Sequence, residues 1–204
     1  MRIIAIMIAL VALPACSPNK AGEGPSNTAA TPQASPAAVA SVSPGPTATS
    51  APATIAVNLA PDGLSFVDPA TGNSRNVAFG VPRATIDGAM AAATGKPGER
   101  GHSPECGAGP MDFSAYRDGL KLTFQDDKFI GWTINREPGK GFSTASGIGI
   151  GSTRAELEKA YAVSVEEGSL GIEFGAGNLA GILDGDDKNA KVTDIWAGTV
   201  CILD

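Results

Sequence analysis

From Ser17 to about Thr54 the chain is built almost wholly of Pro, Ala, Ser, Thr and Gly, with almost no side chain large enough to fill a core. Fixing a backbone costs about 1–2 kcal/mol per residue. A segment with so little to bury cannot recover that cost. The tract is therefore expected to be a disordered linker, part polyproline-like and part coil, that holds a folded body away from its point of attachment. Folding is left to residues 55–204, about 150 residues, which is one domain's worth.

The segment before the linker has the layout of an export signal. Met1-Arg2 supplies one positive charge, and an apolar run then extends to Leu13. That run is roughly a dozen residues, the length of a signal-peptide core, whereas a membrane-spanning helix needs about 20. Pro14 ends it. Leu13-Pro14-Ala15-Cys16 resembles the bacterial lipobox, in which a small residue precedes a Cys that is acylated and becomes the mature N-terminus. Pro14 departs from the usual residue at its position. The alternative is an ordinary signal peptide with an incidental Cys. The resemblance implies that residues 1–16 are a lipoprotein signal and that Cys16 is the lipid-attachment site, with the bilayer as its partner. Ser17 resembles the residue that permits transfer onward. It implies a lipid-anchored protein of the cell envelope, on the periplasmic face of an outer membrane.

Within the folding region two segments match. Gly80, Arg83, Ala84, Ile86, Asp87 and Ala89 recur in spacing and type as Gly151, Arg154, Ala155, Leu157, Glu158 and Ala160. Each reads as a short amphipathic helix opened by a glycine turn. Pro82 suits the first helical turn in one, and Thr153 with Glu156 forms a capping box in the other. After each helix comes a hairpin pattern: Leu120–Trp132 turning at Asp126-Asp127, and Ile172–Ile182. Val192–Ala197 reads as one more strand. The expected fold is α+β, a tandem repeat of short helix plus antiparallel hairpin. Its sheet carries helices on one face, with repeat one at about 75–141 and repeat two at about 142–204.

This layout is similar to that of the beta-lactamase inhibitor proteins and small outer-membrane assembly lipoproteins, over about residues 75–200. Glu105–Pro110, Gly147–Thr153 and Trp196–Cys201 further resemble a set of exported bacterial proteins, and that resemblance implies no activity.

Cys106 and Cys201 are the only cysteines beyond Cys16. In an oxidising compartment two cysteines pair, and their separation is unlike the close spacing of a redox-active Cys-x-x-Cys. A structural disulfide is expected. His102 is the only histidine. No Gly-x-Ser-x-Gly elbow accompanies it and no His/Cys cluster surrounds it, so it reads as a solvated loop residue. Gly175-Ala-Gly177-Asn-Leu-Ala180 fits a loose dinucleotide fingerprint but is followed by strand and turn rather than a helix. Asp184–Asn189 clusters oxygens without the Gly and Glu of an EF-hand loop, and reads as a turn. No metal, nucleotide or other cofactor is expected. Ten acidic residues against four basic ones from Phe142 onward argue against nucleic acid.

The alternation Leu120-Lys121-Leu122-Thr123-Phe124 assigns Leu120, Leu122, Phe124 and Phe129 to one face. Carried through the turn, the same parity assigns Lys121, Thr123, Gln125, Ile130, Trp132 and Ile134 to the other, joined by Glu173 and Ile182. Trp and Ile on an open face suggest a partner surface, unless loops or residues 55–79 cover them. The functional expectation is a non-catalytic binding or structural module that contacts an envelope protein through that face. The alternative is a hydrolase using Asp112, Glu137 and Glu173 as acid and base.

Overall fold

A computed structural model describes residues 54–135 and 141–202. The signal segment with Cys16, the linker through residue 53, and Glu137 lie outside the described residues.

The described chain begins with a hairpin. Strand β1 (Ala56–Ala60) pairs with β2 (Gly63–Val67), setting Val57 against Phe66 and Leu59 against Leu64 on one buried side. Strand β3 (Ser74–Ala78) adds to β2, and the short β8 (Ser143–Thr144) runs parallel to β1, giving the order β3-β2-β1-β8. Helix α1 (Arg83–Ala93) buries Ile86, Ala89, Met90 and Ala93, the i, i+3, i+4, i+7 stripe of an amphipathic helix. Helix α2 (Arg154–Ala160) starts on the capping box of Thr153 and Glu156 and buries Leu157.

The second sheet has eight antiparallel strands in the order β4-β5-β6-β7-β12-β11-β10-β9. These are β4 (Glu99–Ser103), β5 (Met111–Ala115), β6 (Leu120–Gln125), β7 (Lys128–Asn135), β9 (Ser164–Gly168), β10 (Gly171–Ala176), β11 (Leu179–Leu183) and β12 (Val192–Gly198). One face of it, here called inner, presents Leu120, Leu122, Phe124, Trp132, Ile134, Phe174, Leu179 and Ile195. They form a single core with Leu59, Leu64 and Phe66 of the small sheet and with Ile86, Met90 and Leu157 of the helices.

The α+β expectation is corrected by this architecture. The described residues are mostly β, with a four-stranded and an eight-stranded sheet and two α-helices, of 11 and 7 residues. They are not a helix-plus-hairpin unit repeated in tandem. Residues 56–78 form three strands of a separate sheet, and β8 joins that sheet by pairing with β1. The hairpins also differ in register: Phe124 faces Phe129, whereas Phe174 faces Gly181, because the second turn lies at Gly177-Asn178. The extra strands β4 and β9, Glu-Arg-Gly-His-Ser and Ser-Val-Glu-Glu-Gly, are polar edges without the apolar alternation that marks a half-buried strand.

The first hairpin turns where expected. Asp126 and Asp127 have φ of 50° and 58°, the two left-handed residues of a type I′ turn. Three residues later Ile130 departs from the ladder. Phe124 pairs with Phe129 but Thr123 pairs with Gly131, so Ile130 is the extra residue of a β-bulge. Beyond the bulge the parity of β7 is reversed: Trp132 lies opposite Leu122, and Ile134 opposite Leu120.

Candidate functional site

The bulge redraws the expected partner face. Trp132 and Ile134 are corrected to the inner face, with 0% and 2% of their surface exposed. The hairpin of β1 and β2 covers that face: the Trp132 indole N–H donates to the carbonyl of Ala60 at 2.9 Å. Ile130, as the bulged residue, is partly exposed and uses its carbonyl to accept from Thr199 N at 2.9 Å. Thr123 is on the outer face as expected, but it is buried. Its hydroxyl donates to the carbonyl of Thr199 at 2.6 Å. Lys121, Glu173 and Ile182 do lie on the outer face, half-buried.

Tracing the ladder across the outer face gives two rows. One runs Ala115, Lys121, Thr133, Trp196, Ala180, Gly175, Ser164. The next runs Asn135, Asp194, Ile182, Glu173, Glu166. Trp196 therefore takes the central place that the sequence parity assigned to Trp132. Trp196, Ile182 and Phe113 are each partly exposed, and none belongs to the hydrophobic core. The Lys121 ammonium lies 4.9 Å from the centroid of the Phe113 ring, so its stem and charge rest on that aromatic surface. The Glu173 carboxylate accepts from Leu170 N at 2.9 Å and thereby braces the turn between β9 and β10.

One end of the outer face is strapped. After Gly198 (φ 73°) the chain turns across β7, bringing the Thr199 carbonyl directly above Gly131. A Cβ on Gly131 would lie 2.3 Å from that oxygen, so only glycine admits the crossing. The strap is fastened where Cys201 is bonded to Cys106 in the loop between β4 and β5, with Cα atoms 5.6 Å apart. Beside the bond a cavity of about 450 Å³ is lined by Ala108, Leu170, Val200 and Ile202 along with the two cysteines.

The main polar cluster of the inner side joins α1 to β4 and β5. The Arg83 guanidinium donates to Asp112 at 3.2 Å and to the Ser114 hydroxyl at 3.1 Å, and lies 4.3 Å from the centroid of Phe124. Asp87 accepts from Arg100 at 2.9 Å and from the Tyr116 hydroxyl at 3.3 Å. Burial, and then the Asp87 charge, push the Tyr116 phenol above its ordinary value of 10.0. His102 is corrected from a loop to strand β4, with Nδ1 2.8 Å from Asp112. The acid–base trio is not assembled among the described residues. Asp112 is on the inner face of β5, Glu173 on the outer face of β10, and four strands separate them.

The glycine and aspartate motifs fall in turns. Gly177 (φ 65°) lies between β10 and β11. Asp184 accepts from Lys191 N at 2.6 Å and Asp187 from Asn189 N at 2.6 Å, so both carboxylates cap backbone within the turn. Among the described residues no three His, Cys, Asp or Glu side chains converge as a metal site, and no helix is long and apolar enough to cross a membrane.

Fold and site define a class: a mostly β, two-sheet domain, closed by a disulfide strap, with one face of its large sheet left outside the core. No protein-family model, no curated protein and no solved structure matches the chain.

Proposed function

We propose that this protein is a lipid-anchored envelope lipoprotein whose folded domain is a non-catalytic binding module, meeting a protein partner through the outer face of the eight-stranded sheet. The observation that carries the reading is the partly exposed band of Phe113, Lys121, Trp196 and Ile182, which stands apart from the core that takes in Leu120, Leu122, Phe124, Trp132 and Ile134 of the same sheet. Aromatic side chains, Trp above all, are enriched among the residues that dominate protein–protein contacts. The carboxylates invoked for hydrolysis do different work: Asp112 anchors Arg83 and His102, and Glu173 braces a turn. Acylation of Cys16 and a loose linker would present the face at a distance from the membrane.

The test compares partner capture from the envelope by wild type and by Trp196→Ala, with melting temperatures measured in parallel. Loss of a captured protein at an almost unchanged melting temperature supports the reading. Identical capture by both proteins overturns it. The anchor is tested separately by Cys16→Ala, which is expected to leave the membrane fraction or to remain unprocessed; unchanged maturation and fractionation would sink the lipobox reading.

A further inference from the structure

The eight-stranded sheet ends in two unequal edges. Both edge strands pair with a single neighbour. The side chains of β4 are tied down: Arg100 bonds Asp87 of α1 at 2.9 Å, and His102 lies 2.8 Å from Asp112. Edge β9 has no such ion pair among the described residues. Among the described residues it pairs only with β10, and four of its five residues are exposed. Its far side is therefore a row of backbone donors and acceptors without a neighbouring strand, a template for one more strand. Glu166 projects from the outer face and Glu167 from the inner one, both exposed and neither ion-paired among the described residues.

These charges select the occupant. Glu166 already faces Glu173 of β10; a second copy of β9 laid antiparallel along this edge would add a further Glu to that row, and like charges facing each other across strands destabilise pairing. A strand carrying Lys or Arg gains where the copy loses. At the turn that ends β9, Leu170 opens onto the cavity of about 450 Å³ that it shares with Val200, Ile202 and the Cys106–Cys201 bond. Ile202, 38% exposed, is the most open large hydrophobic side chain among those described. An added segment that runs past the turn reaches a recess there in which these aliphatic side chains stand beside Glu105 and Ser169.

We propose that the partner engages this module by strand addition: an extended, Lys- or Arg-bearing polypeptide segment pairs along β9 and places an aliphatic side chain in the recess beside the disulfide. This rests on the protein-binding reading above and adds the mode and chemistry of recognition to it. Backbone pairing supplies affinity in such modes, and alternate side chains supply selectivity. The arrangement also gives the edge glutamates a second effect, since they keep β9 from joining its own kind.

The test uses the full chain in detergent micelles and two short peptides, one alternating Lys with Val and the other Glu with Val. The Lys peptide is expected to bind about five- to tenfold more tightly than the Glu peptide, and to slow hydrogen exchange in residues 164–168. In the double variant Glu166→Lys/Glu167→Lys the preference should invert, and Ile202→Ser should weaken the wild-type complex. Binding without protection of β9, a preference that survives the charge reversal, or no binding of either peptide would each overturn strand addition. The face reading is judged on Trp196→Ala: capture that depends on Trp196 but ignores the β9 charges leaves that reading standing and removes this one.

Discussion

The indole N–H of Trp132 reaches the carbonyl of Ala60 at 2.9 Å, a hydrogen bond between the centre of the large sheet and the first hairpin of the small one. Trp132 is fully buried, and Ala60 sits in the last position of β1. This contact closes the inner face of the large sheet with the small one. Trp132→Ala is expected to cost about 3–5 kcal/mol, as for other large-to-small changes in a core. Trp132→Phe should cost less, about 1–3 kcal/mol, because it keeps most of the packing but leaves the Ala60 carbonyl without its donor. Urea unfolding of both variants checks the order. A stability loss below 1 kcal/mol for the alanine variant would contradict the buried placement.

Cys106 and Cys201 are 95 positions apart, so their bond restrains a large part of the unfolded chain. In the chain-entropy model a loop of that length contributes about 4–5 kcal/mol, with each kcal/mol worth about 2–4 °C at this size. Reduction, or Cys106→Ser with Cys201→Ser, should lower the melting temperature by roughly 10 °C or more. It should also raise hydrogen exchange at Thr199 and Val200, which the bond holds against the outer face. Two maleimide-reactive thiols in the unreduced native protein would be inconsistent with the pairing.

Asp126 and Asp127 both occupy left-handed backbone, at φ of 50° and 58°. Asp tolerates that region at a cost, whereas Gly occupies it freely. Asp127→Gly converts the turn to Asp-Gly, a favoured type I′ pair, and should raise stability by up to about 1 kcal/mol, the relief of left-handed strain outweighing the entropy that Gly adds to the unfolded chain. The denaturant midpoint should rise with an unchanged slope. A fall in the midpoint would mean that the Asp127 side chain has a role that the turn geometry does not require.

Tyr116 gives the fold a dependence on high pH. Its phenol is buried against Asp87, and its value in the folded protein lies above the ordinary 10.0. A raised value means that the folded state holds the proton more tightly than the unfolded state. Its contribution is complete below pH 10 and is lost as pH rises through the folded value. In a Tyr161→Phe background, where Tyr116 is the only phenol left of the two, the phenolate absorbance should appear together with alkaline unfolding. Titration of the phenol in a protein that stays folded at an ordinary value would refute the burial argument.

Local chemistry determined by itself the features confined to a few neighbouring residues. Two left-handed positions at Asp126-Asp127 set Phe124 against Phe129. Thr153 and Glu156 sit three apart, the spacing at which each side chain reaches the other's backbone N–H at the start of α2. The amphipathic helix carrying Ile86 and Ala89 was equally legible, because burial of a helix imposes a period that the residues must follow. Tertiary structure alone decided what depends on partners distant in the chain. Strands β4 and β9 have little apolar alternation and exist because β5 and β10 offer them backbone partners. Residues 56–78 became a second sheet because the inner face of the first needed a cover. One inserted residue, Ile130, turned Trp132 inward and left Trp196 as the aromatic of the outer face. A bulge shifts the parity of every residue after it while leaving the residue pattern itself unchanged. The direction a strand's side chains face is therefore settled by the ladder they join.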